Sequence, residues 1–244
     1  MQYEIFLERM HMNPNCIIAM TRFISDKPIS SSEKGNCLFM HLKRVFEGGV
    51  LEVMSDTIPC PGFGVNTGLV SGFPKIPGGF ENFLSHGCNE QGCPPGERIK
   101  KNPELATKFF EAMPKDTMEG YNAIRLEQFT PGIVADLVIC FATADQLAGL
   151  TYLQNYDIAG YDSVMVATVS GCASITKIAL GEIKKSEPRA VIGSLDSASR
   201  IFHDKELISF TVPAKIFEKM ISYPSECFFD TPFWRALEKR MLSN

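Results

Sequence analysis

The sequence predicts an α+β (or α/β) protein: a mixed sheet layered with helices, with a Gly/Pro-rich excursion over the core. Three observations predict it. Apolar strand-like runs alternate with helical periodicity through the second half. Between Thr57 and Gly96 lie 9 of the 19 glycines and 6 of the 15 prolines, so regular structure there must be short and interrupted. The chain has 244 residues, 45% of them hydrophobic, which is enough to bury a real core. A single domain over 1–244 is expected, with an irregular insertion at about 57–96.

In chain order, residues 4–10 and 37–47 read as helices, and Asn15 to Phe23 and Val50 to Met54 as strands. The excursion follows, and its phenylalanines (Phe63, Phe73, Phe80, Phe83) predict that it packs rather than floats. Glu104 to Met113 is expected as a helix, Tyr121 to Gln128 as a strand, and Val134 to Ala142 as an apolar strand. Thr143-Ala-Asp-Gln146 has the capping-box spacing, which starts a helix running to about Asn155. Strands at 163–169, 189–195 and 207–212 frame a helix at 172–183, and Pro213 is expected at the first position of the next helix. Thr231-Pro232 opens the last helix, with Phe233, Leu237 and Met241 on one stripe and Trp234 nearby.

A net charge of −4 with scattered basic residues argues against nucleic-acid partners. The N-terminal stretch carries acids within its apolar run and predicts no signal peptide. The longest uninterrupted apolar run, Leu137 to Ala142, is far below the roughly 20 residues of a membrane helix. A soluble cytoplasmic protein without membrane partners is expected. In that setting eight cysteines point to buried hydrophobes, ligands or catalysts rather than disulfides.

Cys172 heads the chemical candidates. Ser170-Gly-Cys-Ala-Ser174 stands where a strand gives way to a helix, and the free amides at a helix start favour thiolate over thiol. The segment lacks the second glycine of a nucleophile elbow. A hydrolase would also need a base, for which His86 and His203 are the better of four histidines. Cys60 lies in a turn-rich run, Pro59-Cys-Pro-Gly-Phe-Gly64, that would fold over a site. Gly62 and Gly64 start a run similar to a phosphate-cradling loop, though its spacing is one residue too long and no strand feeds it. Asp196 and Arg200 would face Cys172 if the strand before them ends at the same sheet edge. Cys88 and Cys93, with four residues between them, are either a metal hairpin with His86 or two incidental thiols. Cys16, Cys140 and Cys227 read as core.

Several stretches carry a family resemblance: Asp136-Leu-Val-Ile-Cys-Phe, Asp145-Gln-Leu-Ala-Gly-Leu, Ser170-Gly-Cys-Ala-Ser-Ile, Pro188-Arg-Ala-Val-Ile-Gly-Ser-Leu-Asp, Asp204-Lys-Glu-Leu-Ile-Ser-Phe-Thr-Val-Pro and Thr231-Pro-Phe-Trp. With them the chain resembles the uncharacterised domain of unknown function family 169. The family pattern of one cysteine opening a helix and a second followed by glycines falls on Cys37 and Cys60. The resemblance thus selects Cys37, Cys60 and Cys172 as metal-ligand candidates. It lends no function.

The leading expectation is a protein that binds a metal ion, an iron–sulfur cluster or a redox cofactor through these three cysteines, with a small molecule or redox protein as partner. A second is a non-catalytic module in which Phe63, Phe73, Phe80 and the glycines cover a small anionic ligand held by Arg200. A third is a thiol-dependent enzyme with Cys172 as catalytic nucleophile.

Overall fold

The computed structural model describes residues 3–22, 37–54, 60–72, 75–89, 91–115, 118, 120–128, 135–224 and 226–243. Phe23, Pro59, Phe73 and Val134, which enter the expectations above, lie outside them.

Helix α1 (Tyr3–Met10) leads through a 3-10 turn (Pro14–Cys16) into β1 (Ile17–Thr21). Next come α2 (Leu38–Phe46) and β2 (Leu51–Met54). The excursion contains two short helices, α3 (Pro61–Thr67) and α4 (Phe80–Leu84), before α5 (Pro103–Glu111). Then follow β3 (Gly120–Arg125), β4 (Leu137–Ala142), α6 (Ala144–Asn155) and β5 (Val164–Val166). One continuous helical run comprises α7 (Gly171–Ala173), a π segment (Ser174–Ile178) and α8 (Ala179–Glu182). The chain ends with β6 (Ala190–Gly193), α9 (Ser197–Arg200), β7 (Ile208–Pro213), α10 (Ala214–Ser222) and α11 (Pro232–Leu242). No helix among the described residues is long and apolar enough to cross a membrane.

The α+β expectation holds. The strands form one mixed sheet in the order β2-β3-β1-β4-β7-β6-β5. Every pairing is antiparallel except β5 with β6, which are parallel and joined by the α7–α8 crossover. β4 lies at the centre, with Ile139 opposite both Ile18 of β1 and Thr211 of β7. Its six residues are all buried because both faces of the sheet are covered.

Alternation along β4 sorts two cores. Leu137, Ile139 and Phe141 join α2 and α7–α8 on one face; Val138, Cys140 and Ala142 join α1, α6, α10 and Trp234 on the other. A third cluster packs α4 against α5, with Phe80 and Phe110 edge to face at 5.1 Å. The excursion therefore has a core of its own, as its phenylalanines predict.

Several local expectations need correction. Pro213 ends β7 and caps α10 instead of occupying its first turn; residue 213 stays extended, still pairing with Leu137, and Ala214 donates its amide to Asp136. On α11, Phe233 is 87% exposed while Trp234 is buried against Phe228 and Phe229, so the inward face starts one residue later than the predicted stripe. Cys16 ends a 3-10 turn rather than lying in a strand. The Thr143 capping box forms as predicted: the Thr143 hydroxyl accepts from Gln146 N at 3.3 Å, and Gln146 Oε1 accepts from Thr143 N at 2.9 Å.

Candidate functional site

Three cysteines distant in sequence come to one cavity, each at the start of a helix. Cys37 is the N-cap residue of α2. Cys60 caps α3, its sulfur accepting from the Phe63 amide at 3.2 Å. Pro61 at N1 suits this start, since that position has no intrahelical use for an N–H. The loop-like texture around Cys60 thus hides a helix terminus, and Gly62 and Gly64 are helical residues, not a phosphate loop. Gly68 ends the helix at φ +88°, where a side chain would be strained.

Cys172 occupies the second position of α7, after an N-cap in which Ser170 Oγ accepts from Ala173 N at 3.3 Å. Two more hydroxyls hold this turn. Ser174 Oγ donates to the Gly171 carbonyl at 2.7 Å and accepts from Ser194 N at 3.0 Å, tying the helix to the end of β6. Thr176 Oγ1 donates to the Cys172 carbonyl at 2.6 Å, within the π segment where the ordinary helical ladder is interrupted. Gly171 is obligatory in this packing: a Cβ there would stand 2.5 Å from Ser199 Oγ and 2.7 Å from Phe39 Cε2.

The cavity has a volume of about 780 Å³, within the range of small-molecule sites. Cys37, Cys60 and Cys172 line it together with Gly62, Asp196 and the start of α9. Gly64 is not among the lining residues. Phe63, Phe80, Phe83 and Phe109 supply aromatic wall, while Glu97 and Lys100 join from the end of the excursion.

The thiols act on one another. Cys172 donates to Cys37, which brings the Cys37 thiol down to about 7, helped by the Phe39 amide and opposed by burial and by Asp196. The same bond pushes the Cys172 thiol well above the usual range, reinforced by burial and by the charges of Cys37, Cys60 and Asp196. Burial raises Cys60 also, against the pull of the Phe63 amide. The two thiols share one proton in a coupled titration, with Cys37 drawn down and Cys172 pushed up. Cys172 stands near the start of its helix, where the sequence places it.

Asp196 is where the sequence places it, on the cavity wall and within electrostatic reach of Cys37 and Cys172. Its carboxylate caps α9, accepting from Ser199 N at 3.0 Å and Ser199 Oγ at 2.5 Å. Arg200 is elsewhere. Its guanidinium donates to the Leu207 and Lys205 carbonyls and lies 3.4 Å from His203 Nδ1, so it braces the loop before β7 instead of facing the thiols. His203 stacks on Phe39 with centroids 5.0 Å apart, and burial lowers its basicity. His86 is exposed. Neither histidine lines the cavity.

Cys88 and Cys93 form a disulfide, which corrects the expectation of free thiols and leaves no metal hairpin there. The bond packs against Gly78, whose φ of +79° and lack of Cβ leave room for both sulfurs. Cys140 and Cys227 are buried and free, as expected; Cys16 is free and half-buried. Sequence reasoning missed Glu97, which lines the cavity and whose carboxyl is held up by partial burial and by Asp196. One acid in a turn-rich run carries no signal of its own. Among the described residues, no group of three or more His, Cys, Asp or Glu side chains is arranged to hold a single metal ion.

The sequence pattern of domain of unknown function family 169, described as uncharacterised ArCR, matches residues 15–223. The chain belongs to that family. Comparison with curated proteins and with solved structures found no match. Membership in family 169 covers the whole sheet and every cysteine from Cys16 to Cys172, and the family is uncharacterised, so the reading of the site rests on its geometry.

Proposed function

We propose that this member of family 169 holds an iron–sulfur cluster through Cys37, Cys60 and Cys172, with one iron facing the cavity, and that its role is redox or cofactor handling. The observation that carries this is the meeting of three thiols, remote in sequence, at the starts of three helices on one cavity wall. Helix starts favour negative charge, which a thiolate-ligated cluster brings. A single zinc-like ion needs all three sulfurs within about 4 Å of one another, given bonds of ~2.3 Å. The described side chains are not so arranged, and a cluster spreads its ligands over several irons. A cytoplasmic setting, a small-molecule or redox-protein partner and a single domain over 1–244 belong to the same proposal.

The test is iron and acid-labile sulfide content with a visible spectrum, on protein purified without oxygen and on Cys172→Ser. Iron and sulfide in the parent, lost in the variant, support the cluster. A colourless parent that stays iron-free after anaerobic reconstitution with iron and sulfide overturns it.

A thiol-dependent enzyme is the second reading, favoured by the lowered Cys37 thiol. In it Cys37 is the nucleophile and Cys172 stabilises its thiolate, which reverses the role the sequence suggests for Cys172. The anion-binding module is disfavoured because Arg200 is committed to backbone carbonyls.

A further inference from the structure

The cavity above the thiols selects its ligand by charge. We propose that it takes an apolar, ring-bearing small molecule with a protonated amine at the end beside Glu97 and Asp196, and discriminates against the equivalent carboxylate. The inference deepens the site reading above by naming a ligand class, and it rests on that reading only for the identity of the cavity.

Size and wall set the body of the ligand. About 780 Å³ fits a molecule of one to three rings, and Phe63, Phe80, Phe83 and Phe109 offer ring faces and edges. Phe80 and Phe83 come from α4 and Phe109 from α5, elements that pack on each other in a separate cluster, so the wall is formed before any ligand arrives. The segment after the disulfide is fixed to α4 in turn, with Glu97 N donating to the Phe83 carbonyl at 2.7 Å and Lys100 N to the Leu84 carbonyl at 3.0 Å.

Charge sets the end group. Among the described residues lining the cavity there are two carboxylates, Glu97 and Asp196, and one cation, Lys100. Lys100 keeps its charge, with its ammonium 4.0 Å from the centroid of the Phe109 ring, so the lining carries one more carboxylate than cation. Burial raises the Glu97 carboxyl, and repulsion from Asp196 on the same cavity lining adds to the rise. An ammonium between them relieves that repulsion, whereas a carboxylate adds to it.

The experiment is calorimetric titration, at low ionic strength and neutral pH, of three indole probes that differ in end group: tryptamine, 3-indolepropionamide and 3-indolepropionate. Iron is measured in the same sample. Tryptamine is expected to bind at least about fivefold tighter than the propionate, with the amide between them. Glu97→Gln should remove most of the amine preference while leaving the amide affinity unchanged, which also reports that the variant is folded. Phe83→Ala should weaken all three probes alike. Equal or tighter binding of the propionate, or no binding of any probe at millimolar concentration, overturns the proposal. Amine preference in iron-free protein keeps this inference while removing the cluster; iron present with no preference does the reverse.

Discussion

The two faces of the sheet differ in how they are closed, although β4 supplies alternate residues to both. On one face α1, α6, α10 and α11 lie over Val138, Cys140, Ala142, Phe210 and Val212, and the cover is continuous. Gly149 of α6 comes so close to Trp234 and Met10 that a Cβ would sit 2.4 Å and 2.7 Å from them. On the other face α2, α3, the α7–α8 run and α9 bring their starts to the cavity. Helix starts carry amides without an intrahelical partner, where the middle of a helix presents a side-chain stripe. The cysteines record the difference. Cys140, on the sealed face, is wholly buried and its thiol is pushed up by burial first and by Cys16 second. Cys37 lies at a helix start beside Cys172 and is brought down. One residue type is a core filler on one side and a chemical group on the other.

The comparison breaks first, and by the largest amount, if the sealed face is opened. Trp234→Ala removes a 3% exposed ring between Phe228, Phe229 and α6, and should cost about 3–5 kcal/mol in urea denaturation. Alkylation of Cys37 in the folded variant should be unchanged. Altered Cys37 reactivity would show that the two faces are coupled.

Gly171→Ala strikes the open face. Its Cβ must displace Ser199 or Phe39, so a loss of about 1–3 kcal/mol is expected in the same assay. Because the neighbouring Cys172 shifts with it, the low-pH reactivity of Cys37 should fall too. Unchanged stability and reactivity would mean that α9 can yield at no cost.

Thiol titration sharpens the contrast without disturbing packing. The rate of Cys37 alkylation should reach half its maximum near pH 7, and in Cys172→Ala this midpoint should rise by ~1 unit or more toward the ordinary thiol value. The sign for stability follows. A lowered thiol stabilises the fold fully above the unfolded value and loses that contribution as pH falls through about 7. Cys172, raised, does the opposite and stabilises most below the ordinary thiol value. Relative to Cys37→Ala, the parent should therefore gain urea resistance between pH 7 and about 8.5. A flat difference would refute the shared proton. The smallest effect is expected at Cys140→Ala, roughly 1 kcal/mol for the lost apolar volume, with iron content unaltered.

The elements were legible where local physics decides them. Alternating apolar runs gave β4 to within a few residues, and Thr143 with Gln146 gave the start of α6, because capping and pleat are settled within four to six residues of chain. Breaker content gave the excursion's short helices their brevity but not their existence, since Pro61 reads equally as a turn or as a first helical residue. The family pattern selected the three thiols, and the sheet order put them together; no spacing in the chain relates positions 37, 60 and 172. Which of them ionises was beyond the sequence altogether. A thiol's charge depends on its neighbours' protons and on burial, and those are properties of the folded arrangement. Likewise Arg200 looked free to hold an anion until the Lys205 and Leu207 carbonyls were brought to it. The sequence by itself determined the class of fold, those element starts that local capping sets, such as Thr143 before α6, and the reactive residue types. Tertiary structure alone decided which thiol is activated, which arginine is occupied and what charge the cavity presents, because these are set by distances between segments that the chain order does not encode.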